Sequence, residues 1–121
     1  MGDFRIDINN RITSEYQKDT LGENVSSGDI LFLNVDGKYY KATASSYLKS
    51  TTELKIAIIN GVTDEEVDLL SYGYFKFFSK LLIPGDKYYL SVDNGDLTSE
   101  VYINSENIIR YVGTAIDVNT I

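Results

Sequence analysis

The side chains able to do chemistry in this chain are carboxylates, lysines, phenols and hydroxyls, because it has neither cysteine nor histidine. Without cysteine there is no disulfide, no thiolate nucleophile and no cysteine-zinc site. Without histidine the commonest general base near neutral pH and the commonest transition-metal ligand are missing. The densest group of chemically useful residues is Asp93-Asn94-Gly95-Asp96. Two carboxylates that close suit a glycosidase pair or calcium ligands. The spacing does not fit an EF-hand loop, and Asp, Asn and Gly in succession are what a tight turn demands. No glycine-rich phosphate loop or Ser-His-Asp set is present. The expectation is a non-enzymatic chain with no catalytic residues, no cofactor and no metal.

Charge narrows the partners. The 121 residues carry 18 acidic and 11 basic side chains, a net charge of -7. The basic residues are scattered, whereas a phosphate-binding surface needs them clustered. No nucleic-acid partner and no anionic membrane surface is expected. No apolar run reaches the roughly 18 residues of a membrane span. The opening Met1–Gln17 lacks a basic segment followed by an apolar one, so no signal peptide is expected.

The elements that position these residues read as short strands. "ILFLNV" (30–35) and "KYYKATA" (38–44) flank Asp36-Gly37. Asp-Gly between apolar runs predicts a hairpin with positive φ at both turn residues, the type I′ geometry. "SSYLKSTTE" is a polar connection with room for a short helical turn. "LKIAII" ends at Asn60-Gly61. Val67 to Phe78 reads as one long strand with Gly73 as a candidate bulge. "KYYLSV", "LTSEVYI" and "IIRYVGTAI" complete the set, the first two separated by a turn at Asn94-Gly95. Turn signals roughly every eight to twelve residues predict an all-β fold, a small sandwich or barrel of about eight strands. Residues 1–27 read as an N-terminal arm or loop, and 28–121 as the β domain.

The chain repeats itself. Gly85-Asp86 follows Gly28-Asp29 by 57 residues (85 − 28), and Gly95 follows Gly37 with one residue more. Later in each half an apolar strand ends in glycine, at Gly61 and Gly113. A pseudo-repeat of two halves follows if neither half can bury both sheet faces alone.

The chain has ten tyrosines and five phenylalanines, and "DLLSYGYFKFF" holds two of the former and three of the latter. By strand alternation Leu69, Phe75 and Phe77 share one face, and Leu70, Tyr72, Tyr74 and Phe78 the other. A strand apolar on both faces is central to a two-sided core or lies in a subunit interface. Two buried faces are hard to supply from so short a chain, which makes Leu70, Tyr72, Tyr74 and Phe78 a candidate homo-oligomer interface. Tyr39-Tyr40 and Tyr88-Tyr89 each put one ring inward and one outward. The outward rings suit cross-strand packing first and a host glycan second.

In the first half, Gly28, Asp29, Asp36, Gly37, Lys38, Tyr39, Tyr40, Lys41 and Ala42 form one pattern. In the second, Pro84, Gly85, Asp86, Tyr88, Tyr89, Leu90, Gly95, Leu97, Thr98, Val112, Gly113, Thr114 and Ala115 form its partner. From Gly28 to Ile121 this order resembles the β domains of tailed-bacteriophage virion surface proteins: head-fibre, capsid-decoration and tail-fibre modules. Asn60 before Gly61 departs from the usual glycine placement. The resemblance implies a virion structural protein, made in the host cytoplasm and acting as a homo-oligomer, often a trimer. Its partners would be itself, phage capsid or tail proteins and, as an alternative role, a host receptor or glycan bound by a fibre tip.

Overall fold

The computed structural model describes residues 14–77, 80–100 and 108–121. Their apolar and aromatic runs form the expected all-β fold. The strands are β1 (Glu15–Thr20), β2 (Ile30–Leu33), β3 (Tyr39–Lys41), β4 (Leu54–Ala57), β5 (Glu66–Tyr72), β6 (Lys87–Leu90), β7 (Leu97–Thr98) and β8 (Tyr111–Thr114). One short helix, α1 (Leu48–Thr51), sits in the polar connection where a helical turn is expected. All ladder pairings between strands are antiparallel, in a five-stranded sheet β1-β5-β4-β2-β3 and a three-stranded sheet β7-β6-β8.

The repeat is visible in the hydrogen bonds. Gly28 donates its N–H to the Ala57 carbonyl at 2.8 Å, and Ala57 returns one to Asp29 at 3.0 Å. Gly85 donates to Ala115 at 2.8 Å, and Ala115 returns one to Asp86 at 2.9 Å. Each Gly-Asp closes a turn of the same kind, Asp29 N–H to Ser26 and Asp86 N–H to Ile83, both at 3.0 Å. The glycine is third in each turn, at φ +93° and +90°, where a type II turn needs positive φ. Thus β4-β2-β3 and β8-β6-β7 are two copies of one three-stranded unit.

The first sheet is buried on both sides. Ile30, Phe32, Leu54, Ile56 and Leu70 face the three-stranded sheet, meeting Tyr88, Leu90, Leu97 and Val112 in one core. Leu31, Ala57, Val67 and Leu69 face the other way and pack with Leu21, Val25 and Tyr39. Leu21, just beyond β1, pairs in parallel with Tyr39 of β3, and Gly22 N–H reaches the Tyr39 carbonyl at 2.8 Å. The two edges of the sheet therefore meet at one end, so the second core lies inside a partly closed barrel.

Three expectations are corrected here. Residues 1–27 are not all arm: β1 pairs along its length with β5, and Leu21 and Val25 are core residues. β1 escapes a pattern search because "EYQKDT" is polar at nearly every position; it is an edge strand whose Gln17 and Asp19 face a buried ammonium rather than an apolar core.

Val67–Phe78 is not one strand. β5 ends at Tyr72, after a register shift in which Glu15 faces Tyr72 but Tyr16 faces Leu70, so Ser71 is the extra residue. Gly73 then turns the chain at φ +121°, where a side chain would collide with Ser14. That turn changes the alternation: Phe75 and Phe77 join the core of Leu70, not the face of Leu69. Beyond it, Phe75 exchanges two 3.0 Å backbone bonds with Ile121.

The Asp36-Gly37 hairpin forms, but not as type I′. Its loop has three residues, closed by Asn34 N–H to Lys38 at 2.9 Å, and only Gly37 has positive φ (+82°). A three-residue loop needs the left-handed conformation only at its last position. The second loop, Val92 to Gly95, is one residue longer; Ser91 N–H closes it on Asp96 at 3.0 Å, with Gly95 at φ +76°.

The repeat sets up a paired mutational experiment. Ala at either φ-positive glycine costs about 1–2 kcal/mol for the backbone alone. A Cβ on Gly28 would also sit 3.1 Å from the Phe77 ring, whereas one on Gly85 meets nothing within 4 Å. Urea denaturation should therefore rank Gly28→Ala as less stable than Gly85→Ala by about 1 kcal/mol or more.

Candidate functional site

The expected interface residues are dispersed. Leu70 is 0% exposed and belongs wholly to the core of its own chain, so it offers no surface to a second copy. The chain does supply both faces that cover β5, one with the second sheet and one with Leu21 and Val25. Tyr72 and Tyr74 are half-buried on either side of the Gly73 turn. Phe78 lies outside the described residues. The turn residues have structural uses. Asp36 accepts hydrogen bonds from Lys38 N–H (2.9 Å) and the Tyr40 hydroxyl (2.6 Å). The Tyr40 phenol, followed by the Lys38 N–H, holds the Asp36 carboxyl below its usual range, and Asp36 in turn raises Tyr40. Asn94 is exposed at the tip of the second loop, and Gly95 anchors that loop to the first unit.

Sequence pattern gives no hint of the most unusual titratable group. Lys55 interrupts the apolar run of β4 and is 2% exposed inside the barrel. Its ammonium donates to Gln17 Oε1 at 2.6 Å and Asp19 Oδ2 at 2.7 Å, both on β1, and lies 4.8 Å from the centroid of the Tyr39 ring. Glu53 adds a more distant carboxylate at 3.9 Å. Burial alone pulls the Lys55 pKa down, but Asp19 and the Tyr39 phenol outweigh it, and the net movement is upward. Burial likewise raises Tyr39, with Lys55 opposing. An ammonium paired with a carboxylate is a poor nucleophile or base, and Lys55 lines none of three surface cavities.

Those cavities differ in character. The largest, about 560 Å³, lies between the two units and is lined by Ser26, Asp29, Asn60, Lys80, Asp93 and Asp96. Several of its polar groups are occupied: Asp29 accepts Ser26 N–H, Asn60 accepts Ser27 N–H, and Lys80 pairs with Asp96. A second, about 310 Å³, flanks Tyr89 on the outer side of the second sheet. The third, about 380 Å³, is more open and runs past Leu81, Ile83 and Tyr88. Among the described residues no group of three or more carboxylates is placed to hold a metal ion.

The paired tyrosines also separate. Tyr39 lies beneath Lys55, and Tyr40 packs on Phe32 with ring centroids 6.0 Å apart. Tyr88 is buried, its hydroxyl accepting Ile83 N–H at 3.0 Å. Tyr88 and Tyr89 each border a cavity, and of these two Tyr89 is the half-exposed one.

A further surface escapes sequence reasoning altogether. Leu81 (87% exposed), Ile83 (60%), Ile116 (48%) and Val118 (55%) stand on two segments tied together by Leu82 N–H to Val118 at 2.7 Å and Gly85 N–H to Ala115 at 2.8 Å. Asp117, between two of them, folds its carboxylate back onto Asn119 N–H at 2.9 Å, which lowers its pKa. The available signal was the "LLIP" and "AIDV" pairing at the ends of the second unit.

Two measurements test the Lys55 cluster. Asp19→Ala strands a buried ammonium and should cost about 2–3 kcal/mol in urea denaturation, below the full cost of breaking a buried pair because Asp19 itself is 25% exposed. Asp64→Asn, which removes the exposed Lys38 pair, should be indistinguishable from the unmodified protein. Because the folded-state pKa values of Lys55 and Tyr39 are raised, their contribution is complete below about pH 10 and is lost as pH climbs through the folded values. The melting temperature should fall steeply above that point, and less steeply in Lys55→Met.

Compared with known proteins, the chain matches no family model, no curated protein and no solved structure, so its role is argued from its own residues.

Proposed function

We propose that this chain is a non-enzymatic structural subunit of a tailed-phage virion, of the head-fibre or capsid-decoration kind, and that it works as a homo-oligomer. The observation that carries the reading is the exposed apolar strip of Leu81, Ile83, Ile116 and Val118. Isolated exposed apolar residues are ordinary, but four on adjoining segments mark an association surface. A second copy is the occupant that fits. With a net charge of -7, copies repel one another least where carboxylates are few, and here Asp117 has its carboxylate held on Asn119 N–H. A stable contact needs about 800 Å² per partner, so the strip would be an apolar centre with polar surroundings, the usual anatomy of a subunit interface. The ordered resemblance from Gly28 to Ile121 supplies the virion setting and the trimer as the expected number.

Size-exclusion with light scattering should give an oligomer at micromolar concentration. Leu81→Glu should convert it to monomer without lowering the melting temperature, since Leu81 touches solvent over most of its surface. Leu70→Glu should unfold the chain instead. A monomer at millimolar concentration, or an oligomer indifferent to Leu81→Glu, would count against the reading.

A further inference from the structure

We propose that the cavity beside Tyr89 binds a neutral pyranose sugar, with a C–H face of the ring on the tyrosine and its hydroxyls on Asp93. At about 310 Å³ the cavity is at the small end of those that hold organic ligands. Its walls are joined through the backbone: Ala44 N–H to Ser91 at 2.9 Å, Ile108 N–H to Ala44 at 2.7 Å and Leu90 N–H to Arg110 at 2.8 Å.

Tyr89 is held as a platform. On the β8 side its cross-strand neighbour Tyr111 meets it edge-on, centroids 5.9 Å apart at 68°. The Tyr111 hydroxyl is itself fixed on Thr114 Oγ1 at 2.6 Å. The cavity opens on the other, β7, side, where Thr98 is the cross-strand neighbour. A ring immobilised before binding loses little entropy on contact. Its hydroxyl has no hydrogen-bond partner among the described residues.

Asp93 supplies the polar anchor. Its N–H is used by Ser91 Oγ at 3.1 Å, but its carboxylate has no partner among the described residues. A carboxylate only accepts hydrogen bonds, and two adjacent sugar hydroxyls donate them to it. Ala44, Val92 and Ile108 give the remaining wall an apolar surface suited to sugar C–H groups. Among the described residues the lining includes Asp93 and Glu100 and no Lys or Arg, which disfavours phosphates, uronates and sialic acids. A quaternary amine would favour the same ring and carboxylate. The broad apolar wall, with Tyr89 as the single aromatic face among the described residues, favours the sugar.

Saturation-transfer NMR on the full chain tests this, with methyl α-glucopyranoside, methyl β-galactopyranoside, N-acetylglucosamine, 3′-sialyllactose and choline as probes. At least one neutral pyranoside should bind with millimolar affinity. Asp93→Asn, at an exposed loop position, should weaken it about tenfold. Tyr89→Ala should abolish it, Tyr89→Phe should retain it, and Tyr47→Ala, outside the cavity, should leave it unchanged. Failure of all three neutral probes at about 20 mM overturns the proposal. So does binding that survives both Tyr89→Ala and Asp93→Asn, or equal or tighter binding of sialyllactose or choline. If Tyr89→Ala does not fold, Asp93→Asn and Tyr89→Phe decide.

Discussion

The fold depends on a ring of three backbone hydrogen bonds at the junction of its two units. Ala42 N–H donates to the Ile30 carbonyl at 2.9 Å, Ile30 N–H to Gly95 at 2.9 Å, and Gly95 N–H to Ala42 at 2.8 Å. The loop of the second hairpin is thereby wedged into the open end of the first. Gly95 suits this place for two reasons: its φ is +76°, and a Cβ would press within 3.2 Å of the Asp29 carboxylate. A hairpin alone is marginal in water and needs a further strand and a covered apolar face. Joined here, the two units bury Ile30, Phe32, Tyr88, Leu90 and Val112 in a shared core. The same junction leaves the polar cleft between units as a by-product of two tight turns meeting, which is why its carboxylates are mostly satisfied by nearby donors.

Much of this was legible in the residues, and the rest was not for identifiable reasons. Gly28-Asp29 and Gly85-Asp86 announced the repeat because a type II turn needs glycine at one position, and the hydrogen bonds to Ala57 and Ala115 follow the same spacing. The apolar runs read β2 and β4 correctly, β4 despite Lys55 within it, and both are buried on two sides. Strand alternation misread the segment after Leu70, because one positive-φ glycine resets which residues share a face. It also missed β1, whose partners are polar. The candidate interface suffered most. Its residues were chosen for being apolar in a strand, which selects core side chains such as Leu70, whereas the exposed strip sits in irregular chain where no periodicity marks it.

Lys55 shows why the hidden strand is polar. Part of the barrel interior is filled by Leu21, Val25 and their neighbours. Elsewhere β4 presents a long side chain that reaches across β5 to Gln17 and Asp19. Its stem covers apolar surface while its head remains paired. Once the ammonium is inside, β1 must carry acceptors at alternate positions, and an apolar β1 would leave a buried charge without a partner. The register of the edge strand is therefore set by electrostatics, where the central strands are set by apolar packing.

The two units differ in what their equivalent faces meet, and that difference separates structure from surface. In the first unit Leu31 and Leu33 face the barrel interior while Ile30 and Phe32 face the second unit. In the second unit Tyr88 and Leu90 stand where Leu31 and Leu33 do, and they face back into the shared core. The units thus stack in the same sense, front onto back. The back of the first is sealed by β1, β5 and the Leu21–Val25 segment; the front of the second has none of the described elements stacked on it. Lys87 and Tyr89 replace Ile30 and Phe32 there, with Tyr111 and Thr114 beside them, a face that tolerates water yet keeps aromatic rings available. β7 is also cut to two residues, which uncovers the flank of Tyr89 and creates the cavity. One hairpin used twice gives a sealed copy that holds the molecule together and an unsealed copy free to meet something else.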